Sequence, residues 1–376
     1  MLAELERHPN ARAVLGPALE AGARPSHAYL FHGPGGVGKR TIARAVAAAW
    51  LSEGEADPDG ARLRALHGSH PDLTWVTPSG AHELLVSDID EPVVAAASRT
   101  PFESSRRVFV IESADQLGEE AANRMLKTLE EPPAFVHLIL ITERVAEVLP
   151  TIRSRCQLVR FDAPSADEVA AQLSAGGVEP ALAAAAARLS LGDVSRAREL
   201  VAPEGVALRA AAEEFVRAAL GGTAAATTPW VPLLRAVKAR GERLATELEQ
   251  RAALELELTA ARERKRVETE WTDRIRRARR RTETAALDLA LELVSVWLLD
   301  LALLAWGAAD LVRGRDRLEL LTADLTTAHP PRDRLVGALR AAVELVEDTR
   351  QRFQLNVSED LACEALAYRL ERLLAR

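Results

Sequence analysis

The sequence predicts an α/β sandwich built on a parallel sheet, followed by an all-helical remainder. Three observations carry that prediction. From about Ser26 to Phe161 short apolar runs alternate with amphipathic stretches, the rhythm that a parallel sheet with helical crossovers requires. Two of the runs, Val108–Ile111 and His137–Ile141, are continuously apolar rather than alternating, as strands covered on both faces are. Beyond Val206 nearly every segment reads as helix, and residues 242–306 contain neither glycine nor proline.

Taken in order, Ala28–Phe31 (AYLF), Leu73–Val76 (LTWV), Val108–Ile111 (VFVI), Val136–Ile141 (VHLILI) and Gln157–Phe161 (QLVRF) are expected as strands. Between the third and fourth, Ala121, Ala122, Met125, Leu126 and Leu129 recur at helical spacing, and Pro132-Pro133 stops that helix. From Pro164 to about Glu204 the chain becomes alanine-rich and helical, punctuated by Gly176-Gly177 and Gly192, which predicts a small helical appendage. The stretch 242–306 exceeds one ordinary globular helix. It predicts either two or three helices joined by polar turns or a coiled-coil-like arm, with Pro330-Pro331 setting off a last helical group. The expected divisions are therefore residues 1–163, 164–204 and 205–376.

At 376 residues and 40.7 kDa the chain has room for two or three domains. Hydrophobic residues at 48% and charged residues at 27% match folded globular proteins, which excludes wholesale disorder. A net charge of −7 removes any whole-chain demand for nucleic acid or an anionic membrane. Cys156 and Cys363, the only cysteines, are too few for a disulfide scaffold or a four-thiolate metal site, and they fit a reducing, cytoplasmic compartment. The opening residues carry Glu4, Glu6 and Arg7 and no apolar run, so no signal peptide is expected. Ala285–Ala309 is interrupted by Asp288, Glu292 and Asp300 and reads as buried helix rather than as a membrane span.

The first expected strand runs into Gly33-Pro34-Gly35-Gly36-Val37-Gly38-Lys39-Arg40-Thr41 and then a good helix, Ile42–Trp50. Strand, glycine loop, helix is the setting of a phosphate-binding loop. Gly33, Gly36 and Gly38 let backbone N–H groups curl around phosphate oxygens, the helix N-terminus adds positive potential, and Lys39 can neutralise the β- and γ-phosphates. The next position, which should offer a hydroxyl to Mg²⁺, holds Arg40. Thr41 does not substitute, because one residue along a helix turns the side chain by about 100°. A second phosphate-site element should be an apolar strand ending in Asp and Glu, for the metal and for the attacking water. Here those places hold Glu112 and Ser113, with Asp115 reading equally well as a helix cap. Weak or absent hydrolysis is expected. His67 and His70 alone cannot close a zinc site, so no zinc is expected.

The segment EEAANRMLKTLEEPPAFVHLILIT (residues 119–142), followed by LPTIRSRCQLVRF, resembles bacterial replicative clamp-loader subunits of the AAA+ class. SHAYLFHGPGGVGK, GSHPDLTWV and the C-terminal NVSEDLACEALAYRL resemble the same family. The resemblance implies an AAA+ domain, a helical lid and a helical collar domain for the three divisions. It implies that Thr142 is the first sensor and that Arg155, in Ser154-Arg155-Cys156, is an arginine finger crossing to a neighbour's ATP, with Arg153 as its competitor. In the lid, Ser195 stands where the second sensor's arginine is expected, and Arg196 reads either as a shifted sensor or, more simply, as a salt-bridging helix residue.

A retained finger beside a degenerate loop resembles the delta-prime kind of subunit in the DNA polymerase III clamp loader. That implies ATP or ADP bound, if at all, without hydrolysis. It further implies a pentameric ring with gamma/tau and delta subunits, acting on the sliding clamp and primed DNA and not on a membrane. The alternative is an ATP-hydrolysing gamma/tau-type motor. Ten basic and four acidic residues between Arg262 and Arg281 invite a DNA reading, but a charged helix face is more simply solvated or ion-paired.

Overall fold

The structure is a computed structural model describing residues 5–20, 22–78, 84–258, 262, 264–327, 332–353 and 357–375. It divides into two compact units. The first comprises the residues up to Pro164 together with Asp193–Ser195; the second comprises 165–192 and the residues from Arg196 onward.

The first unit is built on five parallel strands, β1 (Ala28–His32), β2 (Leu73–Val76), β3 (Arg107–Ile111), β4 (Val136–Thr142) and β5 (Gln157–Arg160), in the order β2-β3-β4-β1-β5. All five expected strands are present. Every residue of β4 is buried, as its continuous apolar run requires of a central strand. Alternation along each strand then divides the core in two. Tyr29, Phe31, Val108, Val110, Ile139 and Ile141 face one side and meet Ile42, Val46 and Trp50 of the helix Lys39–Ser52. Leu30, Phe109, Ile111, Leu138 and Leu140 face the other and meet Met125 and Leu129 of the helix Glu119–Glu130. Glu131 ends that helix just before Pro132-Pro133, where a proline ring would clash with the preceding turn. His70 Nε2 lies 3.0 Å from Glu103, and its Nδ1 accepts from the backbone N–H of Asp72.

The second unit is helical throughout its described residues. Its shorter helices include Ala166–Ala175, Pro180–Leu189 and Pro203–Leu220. The gap-free stretch becomes two helices, Trp230–Leu258 and Arg264–Trp306, which run antiparallel as a hairpin. A small core of Leu248, Ala252 and Trp271, flanked by Leu244, Val267, Ile275 and Ala278, holds its far half. Near its base Gly241 admits Glu283: a Cβ there would come within 2.5 Å of that side chain. The basic run lies on this hairpin, and its charges are largely spent at home. Arg276 pairs with Asp273, Arg279 with Glu283 and Glu242, Arg280 with Glu359, and Arg274 stacks on Trp271.

The long helix holds an 18-residue window apolar enough by length and composition to cross a membrane, and 61% of that window is buried inside the protein, as the reading of a buried helix expects. Its charges serve the fold. Asp300, buried, accepts from the backbone N–H groups of Arg313 and Gly314, and Glu292 pairs with Arg196 and Arg350. Pro330-Pro331 lies outside the described residues; the helices Arg332–Arg352 and Glu359–Leu374 follow it.

Candidate functional site

In a parallel sheet, ligands collect beyond the C-terminal ends of the strands where the order of connections reverses. Here β1, β3 and β4 deliver to that edge the glycine loop, Glu112 and Thr142 respectively. The loop is tightly formed. Gly33 has φ +140°, and a Cβ on it would lie 2.2 Å from the carbonyl oxygen of Phe161; Gly36 has φ +71°, and a Cβ there would lie 2.4 Å from the backbone nitrogen of Ser195. Both positions need glycine on steric grounds alone. Gly38, with φ +95°, caps the helix Lys39–Ser52.

The loop's carbonyls are engaged by the protein itself. Lys39 Nζ donates to the carbonyls of Gly33 (2.6 Å) and Pro34 (2.5 Å), Val194 N–H donates to Gly35 (3.0 Å), and the His8 ring bonds Val37 (2.9 Å). Lys39 is 5% exposed, and this burial pushes its ammonium below the usual lysine range, while Glu143, Asp193 and Asp115 oppose the shift. Desolvation likewise pushes Glu143 up, with Lys39 opposing. Glu143 is exposed as a whole residue, but its carboxyl is crowded by protein, and that local crowding sets its charge.

Arg40, its side chain 71% exposed, folds back onto the end of β3. Its Nη2 lies 2.6 Å from Glu112 Oε2, and Glu112 Oε1 accepts from Trp75 Nε1 at 2.7 Å. Trp75 in turn carries the Arg44 guanidinium 4.6 Å above its ring. An arginine–glutamate pair thus joins the helix start to the end of β3, the two elements between which a divalent cation would be shared in a metal-dependent site. Thr41 is solvent-exposed and makes no part of this network. Thr142, 1% exposed, donates to Asp115 (2.6 Å) and accepts from the backbone N–H of Arg144 (3.0 Å), whose guanidinium also grips Asp115. Asp115 is therefore an anchor for Thr142 and Arg144, and not the helix cap that the sequence left open. Two cations, Lys39 and Arg40, face four carboxylates, Glu112, Glu143, Asp193 and Asp115. With a guanidinium in the cation's place and no hydroxyl ligand beside it, this donor set does not fit a magnesium nucleotide.

The second corner lies at the opposite edge. Arg155 precedes β5, whose first residue, Gln157, is in register with Tyr29 near the start of β1. From Tyr29 to the loop at Gly33 the strand advances about 13 Å. Arg155 is held by Glu130 and by the Thr151 carbonyl (2.9 Å), whereas Arg153 makes no ion pair among the described residues. Burial pushes the thiol of neighbouring Cys156 up to about 12, far from a reactive thiolate. Sequence reasoning missed Trp75, Glu143, Arg144 and Glu130, none of which carries a local signal. Arg196 forms its ion pair within the helical unit.

A family model described as "DNA polymerase III, delta subunit" matches residues 8–165. This unit is similar to the clamp-loader subunits of DNA polymerase III. The DNA polymerase III subunit delta' of Bacillus subtilis is 36% identical over 183 residues, 47% of this chain and 54% of that protein. The subunit of the same name from Pseudomonas aeruginosa is 36% identical over 140 residues, 36% of this chain and 42% of that protein. The subunit gamma/tau of Mycobacterium tuberculosis is 35% identical over 157 residues, 41% of this chain and 27% of that protein. The chain spans about half the length, or less, of these relatives. The matched region contains the glycine loop, Glu112, Thr142 and Arg155.

Proposed function

We propose that this chain is a clamp-loader subunit of the delta-prime kind, which lends Arg155 to the ATP site of a neighbouring motor subunit and does not turn over ATP at its own loop. One observation carries the reading: the arginine corner and the glycine loop lie at opposite edges of one sheet, so Arg155 is out of reach of its own loop and suited to another protomer's. A permanently charged planar fork is the side chain for gripping a neighbour's phosphate oxygens. Its own loop supports the second half of the reading, because Arg40 paired with Glu112 leaves no ligand set for magnesium. ATP or ADP, if bound there at all, is not turned over.

The partners are gamma/tau-type and delta-type subunits in a five-membered ring, and the work is opening the sliding clamp and loading it at primed DNA in the cytoplasm. The three divisions then act as nucleotide-type domain, lid and collar. The gamma/tau relative supports a second reading, in which the chain is itself a motor; Mg²⁺-dependent turnover by the isolated chain separates the two. The deciding experiment is reconstitution with gamma/tau-type and delta-type subunits. Arg155→Ala is expected to lower clamp- and DNA-stimulated ATP turnover by on the order of 10³-fold. Undiminished turnover would sink the assignment.

A further inference from the structure

The contacts of Arg155 are of two sorts. Thr151 and Ser154 belong to its own turn, with Nη1 donating to the Thr151 carbonyl at 2.9 Å and to Ser154 Oγ at 3.4 Å; these fix where the side chain starts. Glu130 belongs to a different element, ends the helix Glu119–Glu130, and supplies a full opposite charge to Nη2. Arg155 is its only ion-pair partner among the described residues. The pair is open to solvent, with Glu130 48% and Arg155 33% exposed. An ion pair of that exposure biases its cation by only about 1.5- to 5-fold.

We propose that Glu130 is a charge latch for Arg155, neutralising and holding the guanidinium in the free chain and surrendering it to the triphosphate of a neighbouring protomer. The proposal rests on the finger reading above. An Nη2 committed to a carboxylate does not grip a phosphate at the same time, so Glu130 and the neighbour's nucleotide compete for one group. A triphosphate carries several charges in a closed interface and wins, but it must first displace Glu130. The latch therefore sets how much ATP the ring requires without entering the chemical step. Glu130 is a positioning residue, not a catalytic one.

The test is steady-state ATP turnover by the ring reconstituted from the full chain and gamma/tau-type and delta-type subunits, with clamp and primed DNA present. Glu130→Gln keeps shape and an acceptor oxygen while removing the charge. The expected result is a KM for ATP lowered about 1.5- to 5-fold with kcat unchanged, the difference shrinking as salt is raised. In an Arg155→Ala background Glu130→Gln is expected to do nothing. An unchanged or raised KM, with Arg155→Ala still crippling, overturns the latch and leaves the finger standing. A lowered KM that persists in the Arg155→Ala background also overturns it. Full turnover by Arg155→Ala removes the finger and the latch together.

Discussion

The two corners of the sandwich each pair an arginine with a glutamate, and the pairs are built differently. At the loop, Glu112 is 10% exposed and shared between Arg40 and Trp75, with Arg44 stacked behind the indole. At the other corner, Glu130 is 48% exposed and, among the described residues, forms an ion pair with Arg155 alone. A buried carboxylate with two donors is costly to release, because the Trp75 N–H left behind loses its acceptor. An exposed one is cheap to release. The difference teaches which arginine is structural and which is available: Arg40 is a strut, and Arg155 is in reserve.

The largest effect that sharpens this comparison is on function: Arg155→Lys in the reconstituted ring, which keeps the charge and loses the fork, is expected to restore little of the turnover lost in Arg155→Ala. Next comes stability. Glu112→Ala strips the acceptor from Trp75 and Arg40 and is expected to cost about 2 kcal/mol in urea denaturation of the isolated chain; a cost near zero would show that the strut bears no strain. Glu143→Gln reads the crowding of carboxylates around Lys39. A carboxyl raised in the folded state contributes stability that is present below its unfolded pKa and lost as pH rises through the folded value. The variant is therefore expected to unfold at a higher temperature than the parent at pH 7, and the gap to close below about pH 4. The smallest effect is Glu130→Ala, expected to change denaturant stability by no more than about 0.5 kcal/mol. A loss matching that of Glu112→Ala would erase the contrast between the corners.

What was legible in the sequence was whatever depends on near neighbours. Continuous apolar runs marked β3 and β4, because a doubly covered strand has no polar face to interrupt it, and the other three strands were legible as short apolar runs between amphipathic stretches. The glycine loop, the helix ended by Pro132-Pro133 and the substitution of Arg40 for a hydroxyl could be read directly. The partners could not. Trp75 meets Glu112 only because β2 and β3 align Val76 with Ile111, and Glu130 meets Arg155 only because a helix and a strand end at the same edge. Asp115 was ambiguous for the same reason, since its anchoring role depends on Thr142 and Arg144 from β4 and the turn after it. Of the two expectations for the stretch 242–306, the structure gives the first, two helices, Trp230–Leu258 and Arg264–Trp306, packed on each other. The apolar stretch within it was legible as buried helix, but the groups that meet its acidic residues, Arg196 and Arg350 for Glu292 and the Arg313 and Gly314 N–H groups for Asp300, were not.

The placement of the two corners on opposite rims of the same five strands has an evolutionary consequence. Substitutions that disable one rim leave the other mechanically untouched, so a motor gene can lose its own engine at a few positions while its service to the next protomer stays intact. Inactive members are accordingly an easy and lasting outcome for any ring assembled from this sheet.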